Sequence, residues 1–490
     1  MSIKEKYRAA LINTLLFFCA SGSLIIPALL NGYPLVYSDT GTYLYSGHSG
    51  IVPVDRPIMY GLFVRHISMS YSLWFVIATQ AFIATSLILL CFRHFVKAGH
   101  SYLRTFIMVF FLSSVTGISN YTSQVMPDIF SGLVIISLAL LCCAQNLSVL
   151  TIIYLFLLVI LFNLSHSSNL LTSSCLVILI GITAVLISWQ KKKNNKLVLT
   201  PDTLVRCNGT RRRINPARAF FPVALSWLLL PSVNLMYGGG FGFHSANNVF
   251  LAGRMSESGI LESYLEKKCT NDTFPLCEYR GKFPAFAWQF FWDYSGPLYG
   301  GGCMQKGWGN CWVEKDKEYG PVIRDILSDP VYRKRFAVYS AKESFRQLIT
   351  FDVGHLTPMT EGSPVIGGIK QYYPDEYARY LDAKQAHGTL YFVALSSRQH
   401  LVVLCSLIII TCACVLRRTR IKIPGHVSLL LMAVISGLLI NAAVCATFSG
   451  TVNRYEGRVI WLLPLAAIII LHPLILAKYA QDSRQLREEE

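Results

Sequence analysis

Charge is scarce in this sequence. Only 14% of its 490 residues are Asp, Glu, Lys or Arg, where soluble globular chains carry about 25%. Hydrophobic residues make up 53%, and the mean hydropathy is +0.44. An ordinary soluble domain is excluded. Acids are the rarer sign, 27 against 44 bases, which leaves a formal charge of +17. Those bases cluster beside apolar runs, where cytoplasmic loops accumulate Lys and Arg, so the excess reads as membrane topology and not as a nucleic-acid surface. Also missing are a Walker loop, a dinucleotide fingerprint and an HExxH pair, as are internal repeats and low-complexity tracts. No cleavable signal peptide is evident. The first apolar run, from about Arg8 to Leu30, is long enough to span and lacks a small-residue cleavage site.

What is present is a series of apolar runs near 9–30, 72–92, 105–119, 128–144, 148–165, 169–189, 219–236, 400–416, 427–447 and 459–477. Most reach the length that a ~30 Å hydrocarbon core requires of a helix. They predict an all-α polytopic membrane protein of about ten transmembrane helices, with a small, mainly α domain inserted before the last three. The expected divisions are 1–236, with about seven spans, then a hydrophilic domain over 237–398, then 399–490, with about three spans and a tail. One set of alternate loops holds Lys4, Lys6 and Arg8; Arg93, Lys97 and Arg104; "KKKNNK" and "TRRR" within 190–218; "RRTRIK" at 417–422; and Lys478, Arg484 and Arg487. The short loops of the other set hold only Arg56, Arg65, Arg454 and Arg458. This asymmetry puts both termini in the cytoplasm and 237–398 outside.

The 237–398 segment has loop signals in "GGGFG" and "GGGC" and two expected amphipathic helices at 329–350 and 375–386. Its cysteines, Cys269, Cys277, Cys303 and Cys311, form two pairs with seven residues between partners. Equal spacing suggests disulfides 269–277 and 303–311 in an oxidising compartment. A zinc site is the rival reading, although structural zinc ligands usually lie two to four residues apart. Nothing else indicates a metal.

Polar residues gather in the outer loops. "PLVYSDTGTYLYSG" (34–47) carries Asp39 and Tyr43, "VDRPIMYGLFVRH" (54–66) carries Arg56 and Tyr60, and "SNYTSQVMPDIFSGLVI" carries Asp128. "FNLSHSSNLL" carries His166, and "SGTVNRYEGRVIWLLPL" carries Arg454 and Arg458. In order and in content these loops resemble those of the glycosyltransferase-C superfamily, polytopic enzymes that use polyprenyl-phosphate sugars. The likeness covers about 1–190 and 400–480. "FLAGRMSESGILESYL" and "LCEYRGKFPAFAWQFFWDYSGP" in the inserted domain resemble segments of bacterial membrane proteins of the same broad class.

The resemblance implies an active site at Asp39 and Asp128, an inner-membrane location in a bacterium, a lipid-linked sugar donor, and a glycan, lipid or protein acceptor. Membrane lipids are the surroundings, and nucleic acid is not a partner. The chemistry agrees. Glycosyl transfer needs a base for the acceptor hydroxyl, for which Asp39 is the candidate, and cations for the departing phosphate. Arg454 and Arg458, four apart on one side of a helix end, suit that role, with Arg56 and Arg254 as further candidates. Tyr43, Tyr60 and His166 complete the expected substrate-binding set. A divalent metal is compatible with this chemistry, but no residue set indicates one.

Each residue has a plainer reading. Asp39 can be a turn acid bonded to its own backbone, and Asp128 can cap a helix. The arginines can snorkel to headgroups, and His166 can be a turn residue. Asp55 and Asp375 read as surface acids. A transporter, flippase or polymerase-like protein for lipid-linked glycans, or a non-catalytic scaffold, would share the composition.

Overall fold

The computed structural model describes residues 2–96, 99–193, 206–207, 210–211, 215–270, 275–300, 303–354, 356–419 and 423–472. Among these, regular structure is helical apart from a two-residue antiparallel ladder, Arg206–Cys207 against Thr210–Arg211. Among the described residues six helices are long and apolar enough to cross a membrane: Trp74–Val96, Ser167–Leu186, Ala217–Met236, Val393–Val415, Gly425–Phe448 and Asn453–His472. The chain is an all-helical, multi-pass membrane protein.

Three further apolar helices, Ser101–Val115, Asp128–Cys143 and Val149–Ser165, are shorter. At ~1.5 Å per residue they fall short of a ~30 Å core. Their ends have local causes. Pro127 disfavours helix at the residue before it, so Asp128–Cys143 starts only after Pro127. That helix is buried along its whole length, as expected of a helix apolar all round. The first apolar run is divided between Ile3–Ser23, which carries Lys4, Glu5, Lys6 and Arg8 in its first turns, and Ile26–Asn31, with Leu24 and Ile25 between them.

The hydrophilic 237–398 segment contributes to two cores. Ala246 to Phe336 encloses its own, built on Val249, Leu261, Phe290, Trp312 and Ile323. Helices Pro364–Tyr372 and Pro374–Leu381 instead pack into the bundle core through Ile366, Ile369, Tyr373 and Tyr380. Buried Glu376 fastens this part by accepting from Tyr33 Oη (3.0 Å), Ser72 Oγ (2.6 Å) and the Leu73 N–H (3.3 Å). Of the two amphipathic helices expected, Pro330–Leu348 begins at Asp329, whose side chain caps the Val331 N–H, and Pro374–Leu381 covers most of the second.

Cys269–Cys277 and Cys303–Cys311 lie at disulfide distance, with Cα–Cα separations of 5.8 and 5.2 Å. Each bridge closes a short loop and is expected to contribute about 2–3 kcal/mol by restricting the unfolded chain. Cys303 and Cys311 sit inside the small core, so replacing that pair with serine should cost more than replacing the other. Mass spectrometry of a non-reduced digest checks the pairing: a 269–303 cross-link or four free thiols would overturn it.

Candidate functional site

Asp39 owes its position to an interrupted chain path. The Ile26–Asn31 helix ends at Gly32 in the left-handed region (φ 89°). The next residues run extended against the segment before Asp128: Leu35 donates its N–H to the Ser123 carbonyl and accepts from the Val125 N–H, both at 2.9 Å. Thr40 does the turn work, its Oγ1 accepting the Tyr37 N–H (2.9 Å). Asp39 opens the Thr40–Ser49 helix without capping it, so its carboxylate is directed elsewhere. Asp128 likewise starts its helix with no capping bond from its side chain.

Both acids join one chain of alternating charges. Arg56 Nη2 contacts Asp55 Oδ2 (2.7 Å) and Asp39 Oδ1 (3.2 Å). Arg454 Nη1 contacts Asp39 Oδ2 (3.1 Å), and its Nε lies 3.6 Å from Asp128 Oδ1. Arg458 Nη1 contacts the same Oδ1 at 3.1 Å. Three carboxylates and three guanidiniums therefore balance. Aromatic faces support the cations: Tyr43 lies under Arg56 (5.3 Å), Tyr37 under Arg454 (4.5 Å) and Tyr455 under Arg458 (5.1 Å).

Close helix contacts hold this arrangement. Helices Thr40–Ser49 and Met59–Ser68 approach so closely that a Cβ on Gly47 would meet the Gly61 carbonyl oxygen at 2.1 Å. This stacks Tyr43 edge-on against Tyr60 (4.8 Å) below Arg56, and Tyr60 Oη donates to Gln80 (2.8 Å). The Trp461 ring packs against Gly132, where a Cβ would come within 2.8 Å of it, and its Nε1 donates to the Arg458 carbonyl (2.9 Å). That contact registers the helix of Asp128 against the segment of Arg458.

Exposure divides the charge chain. The Asp39, Arg56 and Arg454 side chains keep 20%, 16% and 17% of their surface, whereas Asp128 keeps 2% and Arg458 none. The accessible end is Asp39 with Arg56 and Arg454; the deep end is the Asp128–Arg458 pair. Burial would raise the Asp39 carboxyl pKa, but Arg56 and Arg454 more than reverse this and hold it well below the usual carboxylate range. Arg458, expected from sequence to grip a phosphate, is instead enclosed: its Nη2 donates to Ser168 Oγ (3.1 Å) and Cys445 Sγ (3.4 Å). His166 stands behind Ser168, its Nδ1 accepting the Ser168 N–H (3.2 Å) and pairing with Ser168 Oγ (2.8 Å). Burial, then the cations Arg458, Arg454 and Arg56, push its pKa well down and keep the ring neutral.

Two further sequence expectations need revision. Asp55 is not a surface acid: its side chain is 2% exposed and paired with Arg56, and its Oδ1 is buried with no partner among the described residues. Arg254 does not join the charge chain. It is fully buried, ion-paired to Glu257, and donates to the Ala446 carbonyl (2.7 Å), fixing the small core to the end of Gly425–Phe448. Asp375 is exposed, as expected. Sequence reasoning missed Tyr121, whose hydroxyl is buried without a partner and sits where a Cβ on Gly457 would be 2.4 Å away; "SNYTSQ" gave no sign of its importance. Among the described residues no group of three His, Cys, Asp or Glu stands together to hold a metal. The chain matches no protein-family model, no curated protein and no solved structure.

Proposed function

We propose that the protein is a glycosyltransferase-C-like enzyme that moves a sugar from a polyprenyl-phosphate donor to an envelope glycan, lipid or protein acceptor. In this reading about ten helices, the shorter ones included, cross a bacterial inner membrane, with both termini inside and 237–398 outside. One observation carries it: Asp39, Arg56 and Arg454, the last 415 positions from Asp39 in the chain, meet at a partly open site.

Asp39 takes the proton of the acceptor hydroxyl. The acceptor oxygen bonds to the anomeric carbon, and the bond from that carbon to the phosphate oxygen breaks. Polyprenyl phosphate departs with the electron pair, neutralised by Arg454 and Arg56, whose N–H groups suit phosphate oxygens. These cations hold Asp39 too tightly for it to be a good base in the ligand-free site. A phosphate that draws their N–H groups to itself frees the carboxylate at the moment it is needed.

The deciding experiment gives purified protein a panel of polyprenyl-phosphate sugars, with Asp39→Asn as control. Transfer or hydrolysis by wild type alone supports the reading. The irregular stretch between Thr122 and Asp128, buried among helices, is the one feature that favours a transporter; movement of a lipid-linked glycan across vesicles without its consumption would decide for that alternative. Orientation has its own test. In a variant whose one free thiol is Cys207, an impermeant maleimide is expected to label only after permeabilisation. Labelling of intact cells would place the site on the wrong face.

A further inference from the structure

Three charged residues of the site, Asp39, Arg454 and Asp128, each follow a non-helical stretch that a buried glutamine grips. Val36, three residues before Asp39, donates its N–H to Gln385 Oε1 (3.2 Å) while its carbonyl accepts from Gln385 Nε2 (2.7 Å). Val452, two residues before Arg454, is held in the same way by Gln347, at 2.9 Å for both bonds. Gln80 Nε2 donates to the carbonyls of Thr122 (3.0 Å) and Gln124 (2.9 Å), just ahead of Asp128. None of the three glutamines has exposed surface.

A primary amide offers one donor and one acceptor side by side, as a neighbouring strand does. Reversing either clamping amide would set N–H against N–H and oxygen against oxygen, so each bond pair fixes the other. In a chain built of helices these amides act as strand partners for the backbone of Val36 and Val452. Both clamps have second anchors. Gln385 donates its own N–H to Asn31 Oδ1 (2.7 Å). Gln347 Nε2 also reaches the Thr350 carbonyl (3.1 Å), and Asn453 Oδ1 accepts the Asp352 N–H (3.2 Å).

We infer that Gln385 and Gln347 are positioning residues with separate charges to place: Gln385 sets Asp39, and Gln347 sets Arg454. The roles assigned to Asp39 and Arg454 rest on the proposed function; the clamps rest on geometry alone. Both glutamines belong to the 237–398 segment, so that segment aligns the base and the phosphate-binding cation on two independent footings. A misplacement of ~1 Å at a reacting group costs a factor of about 10² in rate.

The test uses full-length protein in micelles with Gln385→Leu and Gln347→Leu, and Gln→Glu at each site as a milder variant whose protonated carboxyl keeps both an acceptor for the valine N–H and a donor for the valine carbonyl. Amide hydrogen exchange, polyprenyl-phosphate binding and turnover are all measured. Gln385→Leu is expected to speed exchange in the peptide covering 34–41 alone and to lower kcat about 10²-fold, with donor affinity within about twofold. Gln347→Leu is expected to speed exchange in 449–457 alone and to weaken polyprenyl-phosphate binding about tenfold, the scale of a lost hydrogen bond to a charged group. The Glu variants should fall between. Global loss of protection, unchanged exchange, or parallel loss of kcat and affinity in both variants would overturn the inference. If wild type neither binds nor consumes a polyprenyl-phosphate sugar, the function falls instead, and local against global exchange alone decides the clamps.

Discussion

Replacing Asp39 with asparagine is expected to lower turnover by a factor on the order of 10² to 10⁴, the range for loss of a general base, and at the same time to tighten donor binding. The second half follows from the geometry. Both carboxylate oxygens accept from guanidiniums, Oδ1 from Arg56 at 3.2 Å and Oδ2 from Arg454 at 3.1 Å, so in the ligand-free site Asp39 competes with a phosphate for the same N–H groups. An amide of nearly the same shape removes the competing charge and leaves the accessible end of the site with an excess of cation. A purely structural acid would give the opposite pattern in binding, weaker instead of tighter. Full turnover by Asp39→Asn would leave residues 34–47 as no more than a turn leaving the bundle.

The pH behaviour follows from the same contacts. The folded-state pKa of Asp39 lies below its unfolded value of ~4. Its ionisation therefore stabilises the fold fully above pH ~4, and that contribution is lost as pH falls through the folded value. Between pH 5 and 8 Asp39 should add no pH dependence to the thermal midpoint, and the asparagine variant should lose part of the wild-type decline below pH 4. A midpoint that titrates above pH 5 in wild type and not in the variant would show that the cations do not hold the carboxylate as described.

The parts of this site legible in the sequence are those whose signal is local. An acid or arginine at the edge of an apolar run stands out because the run leaves few polar positions, and the loops of Asp39, Arg56, Asp128 and Arg454 also resemble, in order and content, those of the glycosyltransferase-C superfamily. Asp55 was not, because adjacency to Arg56 in "VDRP" says nothing about burial; its 2% exposure is set by the small core folding over Val54. Arg254 was misassigned for the converse reason, since a guanidinium that fastens the small core to a carbonyl looks, in sequence, like one waiting for a phosphate. The glutamines gave no signal at all. A neutral amide disturbs neither charge nor periodicity, and its value here lies in backbone partners hundreds of positions away, such as Val36 for Gln385. The number of long helices differs from the number of apolar runs because hydropathy measures how far apolar residues extend, whereas helix length depends on breaks such as Pro127.

At the deep end, Arg458→Met is expected to act on stability before it acts on binding. Arg458 has no exposed surface and Asp128 has 2%. Removing the guanidinium leaves a buried carboxylate whose nearest remaining cation is Arg454 Nε at 3.6 Å, and it withdraws the donor from Ser168 Oγ and Cys445 Sγ. Breaking a buried pair in this one-sided way costs about 3–5 kcal/mol. Replacing both partners, as Asp128→Asn with Arg458→Met, removes the stranded charge and should cost clearly less than the sum of the single changes, because desolvation of the lost ions no longer opposes the fold. Unfolding of the two single variants and the double variant in micelles, taken as a double-mutant cycle, measures the coupling. Additive losses would mean that the ion pair contributes no coupling. If Arg458→Met kept wild-type stability but lost polyprenyl-phosphate binding, Arg458 would be a ligand contact, and the boundary between the accessible end and the closed structural end would have to move inward past Asp128.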